Sequence, residues 1–302
     1  MFTPRFLTNC KFNVKLTTVI VLLVLLQTNS FALNGKIKKK LKEMSTIDFS
    51  LKKTELGLSV GLMGYIGDLK ANLNPYNQTN VAVGFQVRNE LNNYIAIRVC
   101  GSYGHIEGDD AKAVISDLKK RNLSFRSPIT DFGVVGEFSL PIRFDHRSTD
   151  TGAYRYSKLV PYVYVGIQGF KFNPRALYQG QWYDLQPLHT EGKANSYNLM
   201  QISIPFGFGF KYRISNKMSV AAEFGISKTF TDYLDDVSTT YQTYEAQKAE
   251  NGQLSADISY RTDELPGRET SVIKKDGILR GSPKYNDFYL SNMFSFRYKL
   301  GK

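Results

Sequence analysis

Residues 55–69, ELGLSVGLMGYIGDL, set Leu56, Leu58, Val60 and Leu62 at every second position, with Glu55, Gly57, Ser59 and Gly61 between them. A strand turns successive side chains to opposite faces, so one face here is aliphatic and the other small or polar. The alternation returns in VAVGFQVR, YIAIRVCGSYG, TDFGVVGEFSL, PYVYVGIQGF, PFGFGFKY, MSVAAEFGISKTF and FYLSNMFSFRYKL. Eight such segments require an all-β fold, but they leave one choice open. In a soluble sandwich the aliphatic face is inside, whereas in a barrel that crosses a membrane it meets lipid and the polar face lines the lumen.

The charges and the connections decide between the two. Glu55, Arg88, Arg98, Asp131, Glu137, Lys211, Glu223, Arg297 and Lys299 all fall opposite the aliphatic residues. An Arg or Lys at the lipid midplane costs about 2–4 kcal/mol, so strands built for lipid keep charge off that face. Short turns at ELNN and ISNK and a medium link around DHRSTDTG alternate with long segments at 66–80, 105–124, 173–200 and 232–286. Short links on one rim and long ones on the other are the layout of outer-membrane barrels. The sequence therefore predicts an eight-stranded antiparallel transmembrane outer-membrane β-barrel over residues 54–302, with long external loops. Eight strands leave an interior just wide enough for side chains to fill. Glu55, Arg88, Arg98, Glu137, Lys211, Glu223 and Arg297 are the candidate lumen network, expected to pair across the interior and plug it.

The N-terminus supports export. Three cations and no acid precede the apolar run 16–26, and Ser30 and Ala32 stand as small residues before a cleavage site. That is the grammar of a signal peptide over residues 1–32. Its removal takes the formal charge from +12 to +9 and leaves Cys100 as the one cysteine, so no internal disulfide forms. Past Ala32 no apolar run is long enough for a spanning helix. Residues 33–53 form a basic periplasmic arm, with Lys36, Lys38, Lys39, Lys40 and Lys42 as candidate contacts for an acidic partner or for headgroups. A cationic exported protein is poorly placed to meet nucleic acid; outer-membrane lipids, lipopolysaccharide phosphates or an acidic protein are the expected neighbours.

Within the loops, residues 109–122 place Val114, Ile115 and Leu118 at helical spacing, with aspartates first and Lys-Lys-Arg last, which suits a short amphipathic helix. The fourth external loop is longer than ordinary connections and is either functional or disordered. His105, His146 and His189 are isolated in sequence, and Asp109-Asp110 and Asp235-Asp236 lack the spaced oxygens of a strong calcium loop. No nucleophile, base and orienting group come together, so no enzyme, metal or cofactor is expected.

Several stretches go beyond generic barrel patterning: RNLSFRSPITDFGVVGEFSL, WYDLQPLHTEG, IPFGFGFKYRISNKMSVAAEFG, TDYLDDVSTTY and RGSPKYNDFYLSNMFSFRYKLG, together with the opening segment. They resemble the PorG family, outer-membrane barrels of the type IX secretion system of the Bacteroidota, over residues 55–301. TDYLDDVS and RNLSFRSPI are the most specific pieces. The resemblance implies a secretion component that conducts no substrate and ties the periplasmic ring of the PorK lipoprotein and PorN to the outer membrane. The arm and the turns at Asn92, His146 and Asn216 are then candidate partner contacts. A surface-binding barrel, whose external loops grip host or environmental ligands, is the alternative.

Overall fold

The computed structural model describes residues 51–69, 78–113, 116–140, 158–266 and 277–301, and the backbone of 143–147 and 154–156. The signal peptide, the lysines at 36, 38, 39, 40 and 42, and the side chain of His146 lie outside the described residues. Ten strands share one hydrogen-bonded sheet, and eight of them close on themselves. These are β1 (Thr54–Ile66), β2 (Thr79–Glu90), β3 (Ile95–Asp109), β4 (Ser124–Ser139), β5 (Leu159–Phe172), β6 (Met200–Arg213), β7 (Met218–Thr229) and β8 (Phe288–Lys299). Each pairs antiparallel with its chain neighbours, and β1 closes on β8 from Glu55↔Lys299 to Ile66↔Phe288. Closure removes the free edges that an open sheet would present. Among the described residues, no helix is long and apolar enough to cross a membrane.

The wall has the orientation that the charges imply. Leu58 is 72% exposed and Phe208 50%, while Arg98 is 4% and Arg297 1% exposed. Asn292 interrupts the outward apolar series, standing between Leu62 and Phe224 across the two ladders of β8. Replacing outward Val60, which pairs with Val83 and Phe294, by arginine is expected to destabilise the barrel in phospholipid vesicles by about 2–4 kcal/mol. Denaturant titration of the vesicle-inserted protein measures this, and an unchanged midpoint would remove that face from hydrocarbon.

Strands β3 and β4 run further than their apolar alternation suggested. Their ladder continues to Asp109↔Ser124, through residues that the sequence assigned to a loop. The outward positions there, His105, Glu107 and Arg126, are polar, while inward Ile106, Phe125 and Ile129 are buried. Arg126 also pairs with Arg175, the start of a hairpin of Arg175–Tyr178 and Gln181–Asp184. Gln179 and Gly180 at its tip both take positive φ, 49° and 80°, as a two-residue turn matched to strand twist requires. The helix expected over 109–122 shortens to a 3-10 turn (Asp110–Lys112) and α1 (Ser116–Arg121).

The described part of the fourth loop is a folded cap. It carries α2 (Tyr244–Asn251) and α3 (Gln253–Ser259). Thr243 starts α2 by accepting from the Ala246 amide at 3.1 Å, an N-cap bond. Leu234, Val237 and Ile258 from this loop pack with inward Met63, Tyr65, Ile129, Phe170 and Phe172 into one buried cluster. The half of the lumen nearest the long loops is thus filled by an apolar core, and the other half by charge.

Candidate functional site

All eight strands send inward side chains into the charged half. Glu55 comes from β1, Arg88 and Glu90 from β2, Arg98 from β3, Glu137 from β4, Tyr162 from β5, Lys211 from β6, Glu223 from β7, and Arg297 and Lys299 from β8. They form one continuous chain of contacts. Lys299 lies 3.7 Å from Glu90, and Lys211 bridges Glu90 at 2.6 Å and Glu55 at 3.2 Å. Arg88 reaches Glu55 at 3.1 Å, Glu90 at 2.9 Å and Glu137 at 2.6 Å. Arg98 connects Glu137, at 3.3 Å, to Glu223. Glu223 also accepts from Arg297 and from the Tyr162 hydroxyl, each at 2.5 Å.

This order has a local cause. Arg88 and Arg98 face each other directly across β2 and β3, a like-charge pairing that is unfavourable alone. Glu137 offers one carboxylate oxygen to each guanidinium and so holds the pair together. Tyr162 and Tyr164 point inward beneath Arg297 and Arg98, with ring centroids 5.6 and 5.3 Å from the guanidinium carbons. Cation–π contact adds to such desolvated charges. Glycines make room for these rings. A Cβ on Gly225 would sit 2.1 Å from the Tyr164 hydroxyl, and one on Gly209 would sit 2.6 Å from the Tyr162 ring.

Against Arg98 and Glu223 lies a cavity of about 70 Å³, lined by Ser59, Gln86, Cys100, Gln168 and Ser291 and by apolar Phe85, Val135 and Met293 among others. Its size and the polar groups among its lining suit a few ordered waters. Asp131 stands over it, accepting from the amide and hydroxyl of Ser102 at 2.9 and 2.7 Å and from Tyr289 at 3.2 Å. Ions, cavity and apolar core therefore fill the lumen in series.

The cap is locked onto that core by buried acids. The Tyr65 hydroxyl donates to Asp235 at 2.5 Å, with Asp287 at 3.2 Å. Asp287 accepts from the Leu234 amide at 2.9 Å. Arg121 forks onto Asp110 at 2.7 and 2.8 Å and donates to the carbonyls of Asp68 and Arg280. Arg280 reaches Glu191 at 3.1 Å and Asp236 at 3.7 Å. Glu191 in turn accepts from the Ser238 and Thr239 amides at 2.8 and 2.9 Å. The aspartate pairs considered for calcium are thus spent on protein partners, and no cluster of three metal-ligating side chains occurs among the described residues.

Burial raises Asp236 and Asp232 in this cap. Asp236 is pushed up to about 6 by burial despite Arg280 beside it, with Glu191 adding to the rise. Asp232 is pushed up to about 7 by burial, with Asp68 and Glu191 contributing. A carboxyl raised in the folded state stabilises most below its unfolded value and loses that contribution as pH rises through the folded one. The cap is therefore expected to exchange its amide hydrogens more slowly near pH 5 than near pH 8 after correction for intrinsic rates, with the difference reduced in Asp236→Asn. Equal protection at both pH values would contradict the assignment.

The seven residues of the expected lumen network lie together. Three members lie beyond those seven: Glu90, which the sequence gave to the following turn, Tyr162, and Lys299, which the sequence put on the inward face but outside the network. Arg88 and Glu90 share the inward phase of β2, which is the signal that finds Glu90. The turn itself is Leu91–Ile95, where Asn92 accepts from the amides of Tyr94 and Ile95 at 2.8 Å. Asn92 is thus engaged in holding its own turn, whereas Asn216 is exposed in the turn between β6 and β7.

A closed eight-stranded antiparallel wall, apolar outside and sealed inside, is the architecture of an outer-membrane β-barrel. The chain belongs to the family described as Domain of unknown function (DUF6089), which matches residues 41–263. Among curated proteins, no sequence matches it. Similar solved structures include Neisserial surface protein A, with 8% identity, 82% of this chain and 97% of that chain covered, and a TM-score of 0.39. Ail, the attachment invasion locus protein of Yersinia pestis, is similar at 10% identity, with coverage of 81% and 96% and a TM-score of 0.34. OprG from Pseudomonas aeruginosa is similar at 8% identity, with coverage of 82% and 96% and a TM-score of 0.33.

Proposed function

We propose that the protein is an integral outer-membrane barrel serving the type IX secretion system as a non-enzymatic scaffold, holding the periplasmic PorK/PorN ring to the membrane. The single observation that carries this reading is the sealed lumen. All eight strands contribute to the plug, so a secretion component built this way acts through its rims and not through its bore. The resemblance in RNLSFRSPI and TDYLDDVS supports the assignment to this system. Those segments include Arg121 and Asp235, which tie the cap together. The rim with short turns carries the N-terminal approach to β1 and is the periplasmic side, where a ring would dock.

The test pairs a deletion strain with recovery of complexes. Cargo is expected to stay inside cells that lack the protein, and ring proteins to accompany it through mild-detergent extraction. Normal secretion by the deletion strain would remove this function.

A further inference from the structure

At the short-turn end the lumen opens into a cavity of about 910 Å³. Its lining includes Lys53, Lys158, Lys211, Arg213, Lys217 and Lys299 against two acids, Glu55 and Glu90. Both acids are already engaged by Arg88 and Lys211, and Glu90 also by Lys299. No salt bridge to a described acid reaches Lys158, Arg213 or Lys217, and all three are exposed.

The backbone arranges these cations as an arc. The Arg213 amide donates to the Lys158 carbonyl at 2.9 Å, and the Lys299 amide donates to the Lys217 carbonyl at 2.8 Å. Lys158, Arg213, Lys217 and Lys299 thus mark the ends of the consecutive strands β5, β6, β7 and β8. Like charges held side by side raise the local potential and concentrate anions. Deeper in the lumen this chain pairs nearly every charge, yet at the mouth it leaves one sign in excess.

We propose that this mouth is a binding cup for an acidic peptide segment of a periplasmic protein, inserted along the barrel axis. The cup rests on the reading of the short-turn rim as periplasmic and as the docking side. Its volume is far larger than a phosphate ion, so a chain carrying several carboxylates fills it. Lipid headgroups are the poorer match because the cations hold the inward phase of their strands. The outward positions beside them are Leu159, Tyr212, Met218 and Tyr298, and these exposed side chains face the membrane. A peptide arriving on the axis meets lysine and arginine, whereas a headgroup at the wall meets apolar and aromatic side chains.

The test uses the full-length protein in mild detergent and a fluorescein-labelled oligoglutamate peptide. Saturable, salt-sensitive anisotropy at one peptide per barrel is expected. Binding should weaken by roughly tenfold or more in K158E/R213E/K217E, and measurably in K158Q/R213Q/K217Q. It should be unchanged in K119E/K120E, which alters α1 at the opposite end. Lysine acylation read by mass spectrometry gives an answer on the wild-type protein alone: bound peptide shields Lys158 and Lys217 but not Lys119 or Lys120. Equal binding by the cup variants, absence of shielding, or shielding by phosphatidylglycerol vesicles in place of peptide would overturn the proposal. Normal secretion without the protein would remove the secretion role and leave this binding intact, so the two failures are separable.

Discussion

Glu223→Ala is expected to destabilise the folded barrel by about 3–5 kcal/mol, the cost of removing one member of a buried ion cluster and stranding its partners. The magnitude follows from what Glu223 holds. One oxygen accepts from Arg98, Arg297 and Tyr162, and both guanidiniums are almost fully buried. Without it Arg297 keeps no carboxylate at salt-bridge distance among the described residues, and Arg98 shares Glu137 with Arg88. Glu223→Gln retains an acceptor but no charge and falls between the two. The double variant Glu223→Leu with Arg98→Leu is expected to lose less than the sum of the single changes, because each removes the other's stranded charge. Urea titration in phospholipid vesicles provides the comparison. A loss below about 1 kcal/mol, the range of solvated surface pairs, would mean a lumen open to water and would undercut the sealed-scaffold reading.

How much of this was legible in the sequence depended on distance along the chain. The wall was legible because lipid and lumen impose period two on each strand separately, and Leu56, Leu58, Val60 and Leu62 state it within seven residues. The lumen charges were legible for the same reason, each being marked locally by its phase. Glu90 was lost because a glutamate beside Leu-Asn-Asn also reads as turn. The upper ladders of β3 and β4 were lost because alternation has no apolar side to show once the wall leaves the membrane, as at His105, Glu107 and Arg126. The cap was beyond reach. Tyr65 meets Asp235 and Asp287 across separations of 170 and 222 residues, and no local pattern announces such a meeting. The long fourth loop looked open to either order or disorder because its ordering groups, Leu234, Val237 and Ile258, find their partners on distant strands.

Arg280→Ala is expected to open this cap while leaving the barrel closed. Arg280 is 3% exposed and donates to Glu191 and to the Asp236 carbonyl, with the Asp236 carboxylate nearby. Its removal leaves two buried acids facing each other, a loss of about 3–5 kcal/mol by the same reasoning as for Glu223. The strain has a different outlet, however. The β ladders do not run through Arg280, whereas Glu191 holds the cap through the amides of Ser238 and Thr239. The loss should therefore appear as local opening and not as global unfolding. Hydrogen exchange at those amides is expected to accelerate by roughly a hundredfold or more, the free-energy change spread over tenfold steps of about 1.4 kcal/mol. Amides within β1 and β8 should keep their protection. If those strands lost protection in parallel with the cap, loop and barrel would be one cooperative unit, and the buried acids would support the wall as well as the lid.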